Sequence, residues 1–447
     1  MKHVFIIGNG ISGITTARYI RKQNPDIKIT VIGNETDYFY ARTALMYLYM
    51  GHLQFEDTKP YEDGFWEKNR ISLIKGDVVS LQAEDRKLFL ADGRSVVFDQ
   101  LVIASGSKPL MANWPGKTLD GIQGFYGMND LALLEENTRN IRNAVVIGGG
   151  LIGIELAEML HTRGIHITFL VRENRYMERI LPPEESELVH QEIRRNGVRL
   201  QLNTEVKAFH GDGNGRVSMV ETTTSEEIPT ELACISIGVT PNIAWLNGSG
   251  INTNRGVLVD AHFKTNFPDI FAVGDCAEFQ NPLPEQRPLE QLWYTGKMHG
   301  EVVGTVLGGG LATYQKGVFF NSAKFFDMEY QVYGDVTSDV PMGVQEIFWQ
   351  HGHEHKSIRI RYNARSGSVI GFLVMGIRFR QQACQKWIKR QTPIEEVLRN
   401  LNMAFFDPEF FYTFGTEVRE AYEAATGNPR AITTTLKRTF WPIFRPK

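Results

Sequence analysis

Cysteine is scarce in this chain of 447 residues: Cys234, Cys276 and Cys384 are the only three, and no two stand at C-x-x-C spacing. That scarcity excludes a disulfide-stapled scaffold and a thiolate zinc site. It also excludes a redox disulfide between closely spaced cysteines, and it points to a reducing, cytoplasmic setting. Long apolar runs are missing too, since no stretch approaches the roughly 20 residues a membrane span needs. No cationic-then-apolar leader precedes the first apolar run at Val4, so no signal peptide is expected. Strong charge of either sign is absent as well. Lys and Arg total 48 against 51 Asp and Glu, a formal net charge of −3, which gives no reason to expect nucleic-acid binding.

Glycine is plentiful, at 42 residues, and implies several tight turns. The length exceeds one ordinary core, so two or three domains are expected. Val4-Phe5-Ile6-Ile7 reads as a strand buried on both faces, and it runs into Gly8-Asn9-Gly10-Ile11-Ser12-Gly13 and then an apolar helical pattern from Ile14. A G-x-G-x-x-G turn between strand and helix suits a dinucleotide. Gly8 permits the turn, Gly10 leaves room for a pyrophosphate, and Gly13 lets helix and strand approach, with the helix N-terminus offering free N–H groups. The second strand is Ile27–Ile32. Asp92-Gly93 between two short apolar runs predicts a hairpin.

The unit recurs after about 140 residues. Val145-Val146-Ile147 leads into Gly148-Gly149-Gly150-Leu151-Ile152-Gly153, a helix to Thr162 and a partner strand Ile165–Val171. Two such units imply two dinucleotide-sized sites. A third signal is Phe271-Ala272-Val273-Gly274-Asp275, with a helix expected at roughly 289–307. Beyond Val318, strand-like runs at Lys324–Tyr333, Val344–Trp349, Ser357–Tyr362 and Val369–Met375 precede helices at Arg380–Lys389 and Ile394–Leu401. His351, His353 and His355 alternate along one run, but no carboxylate or cysteine cluster stands near them. They read as a polar hairpin end, and no metal site is expected.

Taken in order, these motifs resemble those of the FAD-dependent pyridine-nucleotide-disulfide oxidoreductase family over about the first 315 residues. Ala104-Ser105-Gly106-Ser107-Lys108-Pro109 is similar to its A-T-G-x-x-P segment, and Gly238-Val239-Thr240-Pro241 to its G-x-x-P segment. The family's C-x4-C is absent; that region reads Tyr38-Phe39-Tyr40-Ala41-Arg42-Thr43-Ala44-Leu45. Its Y-x-R-x-x-L pattern resembles the branch holding rubredoxin and ferredoxin reductases, the FAD portion of assimilatory nitrite reductases, and apoptosis-inducing factor.

The resemblance implies an α/β fold with two Rossmann-like dinucleotide-binding domains, one inserted in the other, plus an α+β C-terminal domain. The expected boundaries are residues 1–115 and 255–315 for FAD, 116–254 for NAD(P), 316–405 for an interface-like domain and 406–447 for a tail extension. It implies FAD contacts from Gly8, Gly10, Ser12, Gly13, Glu35, Arg42, Val78, Ala104, Ser105, Gly106, Gly274, Asp275, Gln291 and Trp293. Among these, Glu35 would take the adenosine ribose, Arg42 would lie near the flavin, and Asp275 would bond the ribityl chain. NAD(P) contacts are expected from Gly148, Gly150, Ile152, Gly153, Glu155, Arg172, Arg175 and Gly238, with Glu155 and Arg42 as the groups closest to the chemistry. Arg172 and Arg175 favour the 2′-phosphate of NADPH, while Glu173 between them suits the ribose hydroxyl of NADH.

The implied activity is hydride transfer from NADPH or NADH to FAD, then electron transfer to a small carrier such as a rubredoxin or ferredoxin. A quinone or dioxygen reductase of the same architecture is an alternative, as is a nucleotide-redox sensor resembling apoptosis-inducing factor. A homodimer and a weak membrane-surface contact through the cationic, aromatic tail are further expectations about partners. Lys437, Arg438, Phe440, Trp441, Phe444 and Arg445 supply that tail's character.

Overall fold

His3–Ile7 is the middle strand of a five-stranded parallel sheet. Its apolar run has no polar face, and Val4, Phe5, Ile6 and Ile7 are all buried, as a central parallel strand requires. The computed structural model describes residues 2–283, 286–406, 409–410 and 412–427. These form two compact units: residues 2–172 with 198–316, and 173–197 with the described residues from 317 onward.

In the first unit, the His3–Ile7 strand pairs with Lys28–Gly33 and Gln100–Ile103, and the sheet ends on Ile71–Lys75 and Ile270–Ala272. The last strand comes from more than 160 residues beyond its neighbour Gln100–Ile103. A second parallel sheet is ordered Arg199–Gln201, His166–Leu170, Asn143–Ile147, Leu232–Ile235, Ile122–Gly124. An antiparallel ribbon joins Ser107–Pro109 to Val239–Pro241. The expected Asp92-Gly93 hairpin forms between Lys87–Leu90 and Ser95–Val97.

The helices Ile11–Gln23 and Trp293–Leu307 pack with almost no side chain between them. Gly296, Gly300, Gly304 and Gly308 recur at every fourth residue, and a Cβ on Gly300 or Gly304 would lie 2.5 Å from Ser12 O or Thr16 O respectively. Spacing of four puts all of them on one helix face. The second helix starts at Trp293 rather than near Leu289, because Leu292 is extended and the chain just before it is drawn into a buried polar cluster around Glu290.

The second unit is a five-stranded antiparallel sheet, ordered Phe320–Phe325, Met328–Gly334, Val369–Met375, Ser357–Asn363, Val344–Gln350. The single run expected over Lys324–Tyr333 is two strands, turned at Phe326 with φ +53°. No Gly, Pro or Asn marks that turn; burial of the Phe326 ring holds it instead. The helix Gly415–Thr426 packs on this sheet through buried Val418 and Tyr422, so the chain to that point is part of the unit. The cationic, aromatic end of the tail lies outside the described residues.

Residues 173–197, expected within the nicotinamide segment, pack with this C-terminal sheet. The reason is a buried ion cluster. Arg359, 2% exposed, donates from Nε and Nη2 to Glu185 at 2.9 and 3.0 Å, and from Nη2 to Glu184 at 2.7 Å. Glu346 bridges Arg359 to Arg361, which is itself 1% exposed. Once buried, each charge requires its partner, because an unmatched one would cost several kcal/mol.

Candidate functional site

The first Gly turn leaves the His3–Ile7 strand and opens the Ile11–Gln23 helix with Gly10 as N-cap. Gly8 has φ +110°, and a Cβ there would lie 2.1 Å from Ala104 O. A Cβ on Gly13 would lie 2.0 Å from Gly8 O. Gly10 differs, since its Cβ would meet nothing within 4 Å. The protein's own backbone therefore demands Gly8 and Gly13, while Gly10 opens on the space before a helix N-terminus, where free N–H groups favour an anion. Ser12 is buried between Gly274 and Gly296, whose Cβ positions would lie 2.3 and 2.6 Å from its Oγ. Asn9 ties the turn to the end of the next strand through Nδ2 to Thr36 O, 2.9 Å.

Glu35 and Arg42 are one group. Arg42 donates to both carboxylate oxygens, at 2.7 Å from Nη2 and 3.2 Å from Nη1, and Tyr40 OH donates to Oε2 at 2.9 Å. Arg42 Nη1 also donates to Tyr126 O at 2.9 Å, and its guanidinium stands 4.6 Å from the Tyr126 ring centre. Burial alone would lower the Arg42 pKa. Tyr40 and Glu35 beside it more than reverse that, so the guanidinium stays charged.

Asp275 follows the left-handed Gly274 and accepts from Tyr126 OH at 2.9 Å. The same Tyr126 oxygen accepts from Ser107 N at 3.2 Å, and Gln291 Nε2 donates to Ser107 Oγ at 2.9 Å. Burial pushes the Asp275 carboxyl up, partly offset by Tyr126 and Ser107. Ala104, Ser105 and Gly106 run along this cluster, with Ser105 Oγ donating to Asn242 O at 2.8 Å. Trp293 is 43% exposed at the helix start. The Val78 side chain is buried in the hydrophobic core.

The second Gly turn repeats the first. Gly148 has φ +115°, and its Cβ would lie 2.5 Å from Ser236 O; a Cβ on Gly153 would lie 2.3 Å from Gly148 O. Ser236 Oγ closes the turn by donating to Ile147 O at 2.9 Å and Gly148 O at 3.2 Å. Gly150 is the N-cap of the Leu151–Thr162 helix, Ile152 is half-buried in its first turn, and Gly238 has φ +128° with open space at its Cβ. Glu155 is half-buried on the same helix. Burial, with Glu158 close by, pushes its carboxyl up to about 7. Arg172 is exposed just beyond the end of the His166–Leu170 strand. Arg175 belongs to the second unit, where it faces Glu178 at 3.9 Å.

Residues 2–300 match the family model for pyridine nucleotide-disulphide oxidoreductases. The chain belongs to that family. It is 30% identical over 307 residues to the ferredoxin reductase component of chlorobenzene dioxygenase from Cupriavidus sp. (strain PS12), covering 68% of this chain and 74% of that one. It is 30% identical over 335 residues to a ferredoxin–NAD(P)+ reductase of Sphingomonas sp., covering 74% and 80%. The ferredoxin reductase for the CYP199A2 system from Rhodopseudomonas palustris superposes with a TM-score of 0.75 at 25% identity, over 84% of this chain and 91% of that one. This pyridine nucleotide-disulphide oxidoreductase is an FAD- and NAD(P)H-dependent member without a redox cysteine pair, its three cysteines being single and buried. Among the described residues no helix is long and apolar enough to cross a membrane, and no group of three or more His, Cys, Asp and Glu is placed to hold a metal ion.

Reading the sequence alone missed the roles of Tyr126, Ser236 and Asn9. Each acts through a contact made by distant chain, and none stands in a repeating pattern. The glycine stripe of the Trp293–Leu307 helix was available in the sequence as a four-residue period.

Proposed function

We propose that this chain is an NAD(P)H-dependent flavoprotein reductase that passes electrons to a small redox carrier of the ferredoxin or rubredoxin class. The observation that carries the proposal is the pair of strand–Gly-turn–helix sites meeting across one ribbon, Ser107–Pro109 with Val239–Pro241, in a chain with no thiol pair. The two ferredoxin reductases of similar sequence support the carrier. Bound FAD supplies the redox chemistry, accepting hydride from the nicotinamide and releasing electrons onward.

The residues present fit that group. The open face at Gly10, between Gly8 and Gly13, would receive the pyrophosphate at a helix N-terminus, with Ser12 lining it. Glu35, oriented by Arg42 and Tyr40, would accept the adenosine ribose hydroxyls. Because Arg42 is spent on Glu35, its role would be to hold the adenosine end and to fix Tyr126. Val78 would contribute backbone alone. Ala104, Ser105, Gly106, Gly274 and Asp275 would bind the ribityl stretch, and Gln291 and Trp293 the ring end.

On the other side, Gly148, Gly150, Ile152, Gly153 and Gly238 would hold the nicotinamide dinucleotide, and Glu155 would lie beside the nicotinamide. Arg172 would pair the 2′-phosphate of NADPH, which makes NADPH the favoured donor over NADH. A cytoplasmic setting, a homodimer and a weak membrane-surface contact of the tail complete the proposal; light scattering and vesicle sedimentation read the last two.

Anaerobic titration of the FAD-loaded protein tests it. NADPH or NADH should bleach the flavin absorbance, and added ferredoxin or rubredoxin should restore it. Failure of both nucleotides to bleach would overturn the reading. Arg172→Glu should cost NADPH at least roughly tenfold more than NADH; an equal loss removes Arg172 from the phosphate site.

A further inference from the structure

Behind the Gly274–Asp275 turn lies a buried polar cluster that none of the expected contacts uses. His299, fully buried on the Trp293–Leu307 helix, accepts the Gly274 N–H at its Nδ1, 3.2 Å away. With Nδ1 an acceptor, a neutral imidazole carries its proton on Nε2. That nitrogen faces Glu290 Oε2 at 3.4 Å. Tyr314 OH donates to the same oxygen at 2.5 Å, and Lys316 Nζ meets Oε1 at 2.9 Å. Phe263, Phe279 and Tyr314 enclose the imidazole at ring-centre distances of 4.6, 5.8 and 4.7 Å.

The charges are settled by this arrangement. Burial alone would raise the Glu290 carboxyl, but His299, Lys316 and Tyr314 hold it down at about 2, so it is an anion matched by the lysine. Burial lowers the His299 pKa despite Glu290 and the nearby Asp275, so the ring stays neutral. Glu290, Lys316, Tyr314 and Asp275 are the titratable groups that face it.

We propose that His299 is a positioning residue for flavin binding: its Nδ1 fixes the Gly274 peptide, and so the direction of Asp275, while Glu290, Tyr314 and Lys316 fix its tautomer. The inference rests on the proposal that Asp275 meets FAD. The turn is anchored on either side of this peptide, Val273 N donating to Ile103 O at 2.9 Å and Cys276 Sγ to the same oxygen at 3.5 Å, and the Gly274 N–H itself is bonded by His299. Gly274 is left-handed and pressed on Ser12, while Asp275 is held from the front by Tyr126 and Ser107. Loss of the Nδ1 acceptor would leave a buried N–H without a partner and free the peptide to tilt.

Two carboxamide variants separate this role from mere packing. In His299→Asn, Oδ1 falls close to the position of Nδ1 and can accept the Gly274 N–H. In His299→Gln, the carboxamide reaches the position of Nε2, keeping Glu290 and losing Gly274. FAD dissociation constants of the full-length protein, measured by flavin fluorescence, should be about tenfold weaker for Gln and within roughly twofold of the parent for Asn. Thermal midpoints of the FAD-free proteins provide the control, and both variants should fall to a similar extent. Equal FAD affinities for Asn and Gln, whether both weakened or both unchanged, would overturn the inference. A parent that binds no FAD would overturn the broader functional reading and this inference with it, whereas FAD binding by the parent with equal affinities for Asn and Gln overturns this inference alone.

Discussion

Replacing Glu155 by Gln should make the protein more stable above neutral pH and slower as a reductase. Burial, with Glu158 nearby, moves the Glu155 carboxyl from its ordinary 4.5 to about 7. Between those values the folded protein holds a proton that the unfolded chain has released. Stability therefore falls as pH rises from 4.5 to 7, and the loss is constant above that. The displacement corresponds to about 3 kcal/mol at the alkaline plateau. Because the side chain is partly open to water, a measured value of roughly 1–3 kcal/mol is expected. Gln keeps the shape and removes the charge, so Glu155→Gln should lie close to the parent at pH 5 and exceed it by that amount at pH 8.5. Urea denaturation at both pH values, with slope and midpoint compared, reads the difference. The same gain at pH 5 and at pH 8.5 would refute burial of the anion as its source. Anaerobic stopped-flow reduction by NADPH should show the opposite sign, with the variant slower.

Three further outcomes are expected. Gly10→Ala should fold within about 0.5 kcal/mol of the parent and bind FAD at least tenfold more weakly, whereas Gly13→Ala should lose roughly 1–3 kcal/mol or more of stability; a Gly10→Ala protein with normal FAD affinity would remove the pyrophosphate from that turn. Arg42→Gln should weaken FAD roughly tenfold yet leave the hydride-transfer rate of the loaded protein within a few fold; a collapse of that rate at full loading would return Arg42 to the flavin. Arg359→Met should cost about 3–5 kcal/mol by leaving Glu185 buried without its partner, and adding Glu185→Met should recover much of that; a double variant as unstable as the sum of the single ones would show that the pair is not coupled.

Both Gly turns, the Gly274-Asp275 strand end and most apolar strands are legible in the sequence, because their physics is local: a run, a turn and a helix start lie within a dozen residues. The contacts that orient the site are not local. Tyr126 reaches Asp275 across 149 positions, and Ser236 reaches Gly148 across 88. The partnership of Arg42 with Glu35 spans only seven residues, yet each alone reads as a ligand contact, since charge says nothing about which partner it meets. Glu184 and Glu185 open an acidic first turn that suits a solvated helix start; only the buried Arg359, 174 residues on from Glu185, makes them interior. The late start of the Trp293–Leu307 helix has the same origin, a tertiary demand on Glu290 that overrides local pattern.

The excursion of residues 173–197 bears on how this protein can be taken apart. A crossover helix normally covers the sheet whose strands it joins. Here His166–Leu170 and Arg199–Gln201 pair side by side, while the Pro183–Arg195 helix that connects them is lent to the other unit. The polypeptide passes from one unit to the other at three places, after Arg172, Gly197 and Lys316. No single cut separates them. Ending the chain at Lys316 would leave Glu185 without Arg359, and excising 173–197 would sever the second parallel sheet between His166–Leu170 and Arg199–Gln201. Exchange of the C-terminal unit between relatives, in evolution or by recombination, must therefore carry this inner helix along with it.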